Sequence, residues 1–158
     1  MATTIQFYHL LSTSRERAVP SLMQKVLTSG ARAVMILDSD AALKTMSDAL
    51  WSNDPASFLP HGSLRDGHAE EQPIFLSLTE TNPNGADILC ILDGSSPATV
   101  AQYKKVLDVF DGTNEAAVAA ARTRWAQYKS AGYALQYIKQ QPGGSWKMEM
   151  ESAAASAA

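Results

Sequence analysis

Short runs of branched and aromatic residues alternate along this chain with longer segments of helical periodicity, and that alternation limits the folds open to it. The apolar runs are Thr4–Leu10 (TIQFYHL), Ala31–Leu37 (ARAVMIL), Pro73–Leu78 (PIFLSL), Ala86–Leu92 (ADILCIL) and Tyr133–Lys139 (YALQYIK). Their length and composition read as strands, and Ala31–Leu37 reads as a strand buried on both faces. After Ser12–Ser14, which offer N-cap chemistry, Arg15–Ser29 reads as a helix with Val19, Leu22, Met23 and Val26 on its buried face. Pro20 places the regular start of that helix near itself, and Gly30 follows as a C′ residue. Asp38–Asp40 cap a second helix whose core stripe is Leu43, Met46 and Leu50, ending near Trp51. Pro97–Phe110 and Asn114–Ala131 read as two further helices, broken at Asp111–Gly112. Strands alternating with helices predict one α/β domain: an open, mostly parallel sheet flanked by helices, Rossmann-like in outline.

Residues 1–147 are expected to form that domain. The end, from Met148 to Ala158, is low in complexity, lacks the apolar content to pack, and is expected to be disordered. Residues 52–72 are rich in Pro, Gly, Asp and Ser and read as a long functional or mobile loop.

The turn after the first strand reads HLLSTSRER and contains no glycine, so this Rossmann-like arrangement lacks a dinucleotide fingerprint. No phosphate-binding GxxxxGK[ST] run is present either. Cys90, inside ILCIL, reads as a buried structural cysteine rather than a nucleophile. His9 ends the first strand and reads as packed or hydrogen-bonded. His61 and His68 flank a segment with Asp66, Glu70 and Glu71, but their spacing matches no metal-ligand pattern. Asp38, Asp40, Asp87 and Asp93 stand at element ends, where carboxylates cap and form turns. No catalytic, cofactor-binding or metal residues are therefore assigned. The net charge of −3 argues against strong direct binding to nucleic acid. The single cysteine fits a reducing cytoplasm. MATTIQFYHLL does not read as a signal peptide, and no apolar run reaches the length of a membrane span.

The informative segment is Asn114–Leu135. On a helix, Arg122, Trp125 and Lys129 share one stripe, an aromatic plate between two cations. It has two readings. One is a core-anchoring tryptophan beside solvated charges. The other is a cradle for an acidic peptide with an aromatic end.

Several ordered matches bear on that choice. They are Phe7–Tyr8 in the first strand, Leu50–Trp51 at a helix end, and Ser57–Phe58–Leu59–Pro60–His61 in the loop beyond. Asp87–Ile88–Leu89 and Val106–Leu107–Asp108 follow, and then Ala121, Arg122, Arg124, Trp125, Tyr128, Lys129, Ala131, Gly132, Tyr133 and Leu135. In order and spacing the chain resembles the chi subunit family of bacterial DNA polymerase III, through Lys139. The resemblance implies a non-catalytic accessory subunit. It would link the clamp loader to single-stranded DNA-binding protein, whose acidic C-terminal tail ends in a Pro-Phe carboxylate. The family's tail pocket maps onto Phe110, Arg122, Trp125 and Lys129. Trp51, Phe58 and Leu59 fall where the family meets its psi partner; that surface would dock psi or another clamp-loader component, or is simply packed. The chain departs from the family at Ala126, where relatives can carry lysine, and has no lysine in Glu115–Ala121. The alternative to the accessory subunit is a small-ligand-binding α/β enzyme, or a degenerate paralogue on the same fold.

Overall fold

The structure is a computed structural model that describes residues 3–52, 61–63, 67–92 and 99–152. Three short strands are buried at every position: β2 (Ala33–Ile36), β4 (Ile74–Ser77) and β5 (Ile88–Ile91). Strands covered on both faces lose the polar–apolar alternation of a half-exposed sheet, as these sequences do. The remaining strands are β1 (Thr4–Leu10), β3 (His61–Ser63), β6 (Lys105–Asp111), β7 (Ala134–Gln140) and β8 (Trp146–Ser152). Among the described residues three α-helices join them: α1 (Arg15–Thr28), α2 (Asp40–Ser52) and α3 (Glu115–Ser130). The sheet order is β3-β4-β2-β5-β6-β1-β7-β8. Every pairing is parallel except β7 with β8. The expected open, mostly parallel α/β sheet is therefore observed.

Each face of the sheet carries its own core layer. On one, Leu22, Met23 and Val26 of α1 and Met46 and Leu50 of α2 pack against Met35, Leu76, Cys90, Leu107 and Val109. On the other, Ala121 and Tyr128 of α3 pack with Phe7, Val34, Leu89, Val106, Phe110 and Leu135. Adjacent strands β1 and β6 thus send their helices to opposite faces, which opens a crevice beyond their carboxyl ends.

Four expectations are corrected. Of the expected helix Pro97–Phe110, residues 99–110 are described and do not form it: Val100–Gln102 is a single 3-10 turn, and Lys105–Asp111 is β6. Val100, Tyr103, Leu107 and Phe110 recur at helical spacing, but a strand buried on both faces also supplies unbroken apolar residues, and β6 is one. Helix α1 begins at Arg15 rather than near Pro20, with Ser14 C=O accepting from Arg17 and Ala18 N–H at 3.1 and 3.0 Å; Pro20 is buried inside it. The stretch 52–72 holds strand β3, too short and too poor in apolar residues to be read from sequence; residues 53–60 and 64–66 lie outside the described residues. Met148–Ser152, expected to begin the tail, form most of β8 and pair antiparallel with Leu135–Ile138. Their alternating Met and Glu read as a solvated segment because β8 is an edge strand, exposed along Lys147–Glu151.

Truncation after Lys147 should therefore lower the melting temperature by several degrees, at about 2–4 °C per kcal/mol for a chain of this size. An unchanged thermal midpoint would mean that the β7–β8 pairing contributes nothing.

Candidate peptide-binding face

Helix α3 starts at Asn114, whose Oδ1 accepts the Ala117 N–H at 3.1 Å. Alanines favour the helix but offer little apolar area, and only Ala121, Arg124 and Tyr128 are fully buried along it. A polar contact does the orienting. Arg124 Nε donates to Asp108 Oδ2 at 2.7 Å and its Nη2 to Oδ1 at 2.9 Å. Both side chains are buried, at 6 % and 0 % exposure, so this forked ion pair lies inside the layer between α3 and β6. Burial pushes the Asp108 carboxyl above its usual range, and the Arg124 guanidinium pulls it the other way.

With Arg124 turned inward, Arg122 faces solvent and Trp125 lies half-buried at the edge of the layer. The Trp125 ring stands 5.5 Å from Phe7 and 6.1 Å from Tyr137. Phe110, buried in β6, stands 6.3 Å from Tyr137 and 5.0 Å from His9. The structure thus brings Phe110, Trp125 and Arg122 to one aromatic bed. Trp125 packs against Phe7 and Tyr137 and keeps part of its surface exposed. Lys129 is exposed in the last turn, seven residues beyond Arg122, or about 10 Å along the helix axis.

His9, Tyr137 and Lys139 were not singled out by sequence as parts of this face. In the structure the His9 Nδ1 is hydrogen-bonded to the Tyr137 hydroxyl. Lys139 stands beside His9 in register across β1 and β7. Asp108 and Arg124 were quoted only as pattern matches. The available signal was an acid inside the otherwise apolar stretch VLDVF, which needs a buried partner.

Trp51 is 57 % exposed at the end of α2, with its ring 4.8 Å from that of His61. Phe58 and Leu59 lie outside the described residues, as do Asp66 and Asp93. His61 is buried and bonded to Ser47 Oγ at 3.1 Å, while His68 pairs with Glu71 at the surface. Among the described residues no group of three or more His, Cys, Asp or Glu could hold a metal ion. Cys90 is wholly buried, and burial pushes its thiol well up, which disfavours the reactive thiolate.

The crevice at β1 and β6 is a cavity of about 710 Å³ lined by Ser12, Thr13, Arg15, Asp111 and Arg124 among others. In dinucleotide-binding folds the backbone N–H groups of this turn hold phosphate. Here the N–H groups of Leu11, Ser12 and Thr13 all donate to Gln140 Oε1, at 3.1, 2.9 and 3.1 Å. Gln140 Nε2 donates in turn to Thr13 Oγ1 at 2.8 Å. A side chain from β7 occupies the donors that a nucleotide would use.

Fold and face together define an α/β module with a half-buried aromatic corner beside a surface cation. The family model "DNA polymerase III chi subunit, HolC" matches residues 2–136. The chain is 27 % identical over 139 residues to DNA polymerase III subunit chi of Haemophilus influenzae, covering 85 % of this chain and 96 % of the relative. It is 29 % identical over 138 residues to the Pseudomonas aeruginosa protein of the same name, covering 85 % and 94 %. To a Rickettsia prowazekii protein named "Probable DNA polymerase III subunit chi" it is 28 % identical over 109 residues, covering 67 % and 66 %. The chain belongs to the DNA polymerase III chi subunit family.

Arg124→Ala leaves Asp108 charged and buried without a partner, so it should destabilise the fold by about 3–5 kcal/mol in urea denaturation. Replacing both residues, Asp108→Leu with Arg124→Met, should recover most of that loss. A single-variant loss below about 1 kcal/mol would show that the pair does not hold α3 in place.

Proposed function

We propose that this chain is a non-catalytic accessory subunit of the DNA polymerase III holoenzyme that links the clamp-loader complex to the C-terminal tail of single-stranded DNA-binding protein. One observation carries the reading. Arg122 stands exposed beside the aromatic bed of Phe110, Trp125 and Tyr137, on a face that the family resemblance assigns to the tail. An acidic tail ending in Phe-carboxylate presents the complementary pattern: a ring for the bed and negative charge for the cation. Lys129 extends the positive stripe toward the tail's upstream acids.

Trp51 supports a second contact. A large aromatic with over half its surface exposed at a helix end suits a protein partner, either psi or another clamp-loader component. Direct affinity for DNA is not part of the proposal, because the chain is net acidic. The Gln140-filled turn argues against the rival, a small-ligand enzyme using the crevice for a nucleotide.

The test is calorimetry of the full chain with a synthetic peptide copying the C-terminus of its cognate single-stranded DNA-binding protein. A disordered tail must order on binding, so the dissociation constant should be roughly micromolar. Binding should weaken as salt rises, because the cations are exposed. Arg122→Glu should cost about tenfold or more, since it sets like charges together. Removing the terminal Phe should abolish the interaction. Absence of binding at low salt, or undiminished binding by Arg122→Glu, would defeat the reading.

A further inference from the structure

The chain carries a net charge of −3, yet one corner gathers cations from three different elements. Arg122 comes from α3, Lys139 from β7 and Lys147 from β8. Lys139 and Lys147 lie directly opposite each other in the antiparallel β7–β8 pair, so their side chains leave the same face. Like charges in that arrangement repel, and a bound anion relieves the repulsion. Lys139 also follows Leu135 and Tyr137 by the two-residue period of a strand, which puts it on the α3 side of the sheet.

Beside these cations stands His9. It is held by the Tyr137 hydroxyl through Nδ1, by the Phe110 ring 5.0 Å away, and by Gly112, where an added Cβ would overlap the imidazole. Four charged or titratable groups face it. Tyr137 and Lys139 face it from β7, Arg122 from α3, and Asp111 from the end of β6, while Glu149 of β8 acts on Tyr137. Asp111 is already engaged, its Oδ1 accepting from the Thr113 N–H at 2.9 Å and from Oγ1 at 2.6 Å. Burial, and after it the charge of Lys139, lowers the proton affinity of His9; a hydrogen bond to the Gly112 backbone opposes this, and Arg122 lowers it further.

We propose that Arg122, Lys139, His9 and Tyr137 form a proton-linked carboxylate site, in which the terminal carboxylate of the bound peptide sits between Arg122 and Lys139 over His9, and His9 takes up a proton as it binds. The proposal rests on the peptide-binding reading and extends it, because the second cation comes from β7 rather than from α3. It also gives a source for the charge missing at Ala126 and in the early turn of α3. The chemistry follows from the neighbours. Without peptide, partial burial and the two nearby cations lower the proton affinity of the imidazole. A carboxylate set among them offsets both cations and favours the imidazolium. Binding then raises the proton affinity of His9, so linkage makes affinity increase as pH falls across the range in which bound His9 is protonated and free His9 is not. The ring keeps its place in this step; both of its nitrogens then carry a proton, so the Tyr137 oxygen accepts from Nδ1.

The experiment is calorimetry of the full chain with the synthetic tail peptide, from about pH 8 to about pH 5.5, bracketing the ordinary histidine value. Each pH is run in two buffers of different ionisation heat, which reads the protons taken up. The parent should bind roughly 3- to 10-fold more tightly at the low end, with net proton uptake. His9→Gln should flatten the pH profile and remove the uptake. Lys139→Ala and a C-terminally amidated peptide should each weaken binding by about 3- to 10-fold. Lys25→Ala, in the last turn of α1, should change nothing. Melting curves for each variant separate lost binding from lost folding. A parent that binds equally at every pH without proton uptake would overturn the proton linkage, and undiminished binding by Lys139→Ala would overturn the site while leaving the peptide reading intact. A parent that does not bind the peptide at all would overturn both.

Discussion

The forked ion pair between Asp108 and Arg124 is the contact on which the arrangement of the exposed face depends. Helix α3 has little apolar stripe of its own, because alanines fill most of its first half. Such a helix could pack on a sheet in several rotations at similar cost. A guanidinium that must meet a buried carboxylate selects one. Burying the charges is expensive, and replacing such a pair by apolar residues is often neutral for stability, so its value lies in specifying geometry. The selected rotation turns Arg124 to β6 and leaves Arg122 outside and Trp125 at the rim. Asp108 in turn sits in β6, an interior strand between β5 and β1.

The same sheet places its two ends under different rules. At the crevice between β1 and β6 the geometry suits phosphate, but Gln140 completes the turn from within the chain. That contact also fastens β7 to the β1–α1 turn. The sheet edge at β7 and β8 is polar and open, and there the cations accumulate. The chemistry sits on a few side chains, and the fold only positions them.

Much of the architecture was legible in the sequence because strand and helix periodicities differ. Thr4–Leu10 and α3 stand almost as the residues suggest. Lys105–Asp111 did not, because a strand buried on both faces has no alternation, and its apolar residues continue the spacing of Val100 and Tyr103. β8 was hidden for the opposite reason: an edge strand exposed on both sides carries the composition of a tail. Of the candidate face, Arg122 and Trp125 were visible as a stripe on one helix. His9, Tyr137 and Lys139 come from β1 and β7, and only the parallel pairing of those strands brings them together. No local pattern encodes a meeting of residues more than a hundred positions apart.

The three tryptophans report on three separate places. Trp125 lies on the aromatic bed, Trp51 at the end of α2 beside His61, and Trp146 on the opposite side of the sheet, 5.1 Å from Tyr8. Their indole N–H signals in a nitrogen-15 correlation spectrum of the full chain can be followed while the tail peptide is added. If α3 and the β7 edge receive the tail, the Trp125 signal moves with the peptide while those of Trp51 and Trp146 stay in place. A stationary Trp125 signal alongside a moving Trp51 or Trp146 would place the tail elsewhere and contradict the account.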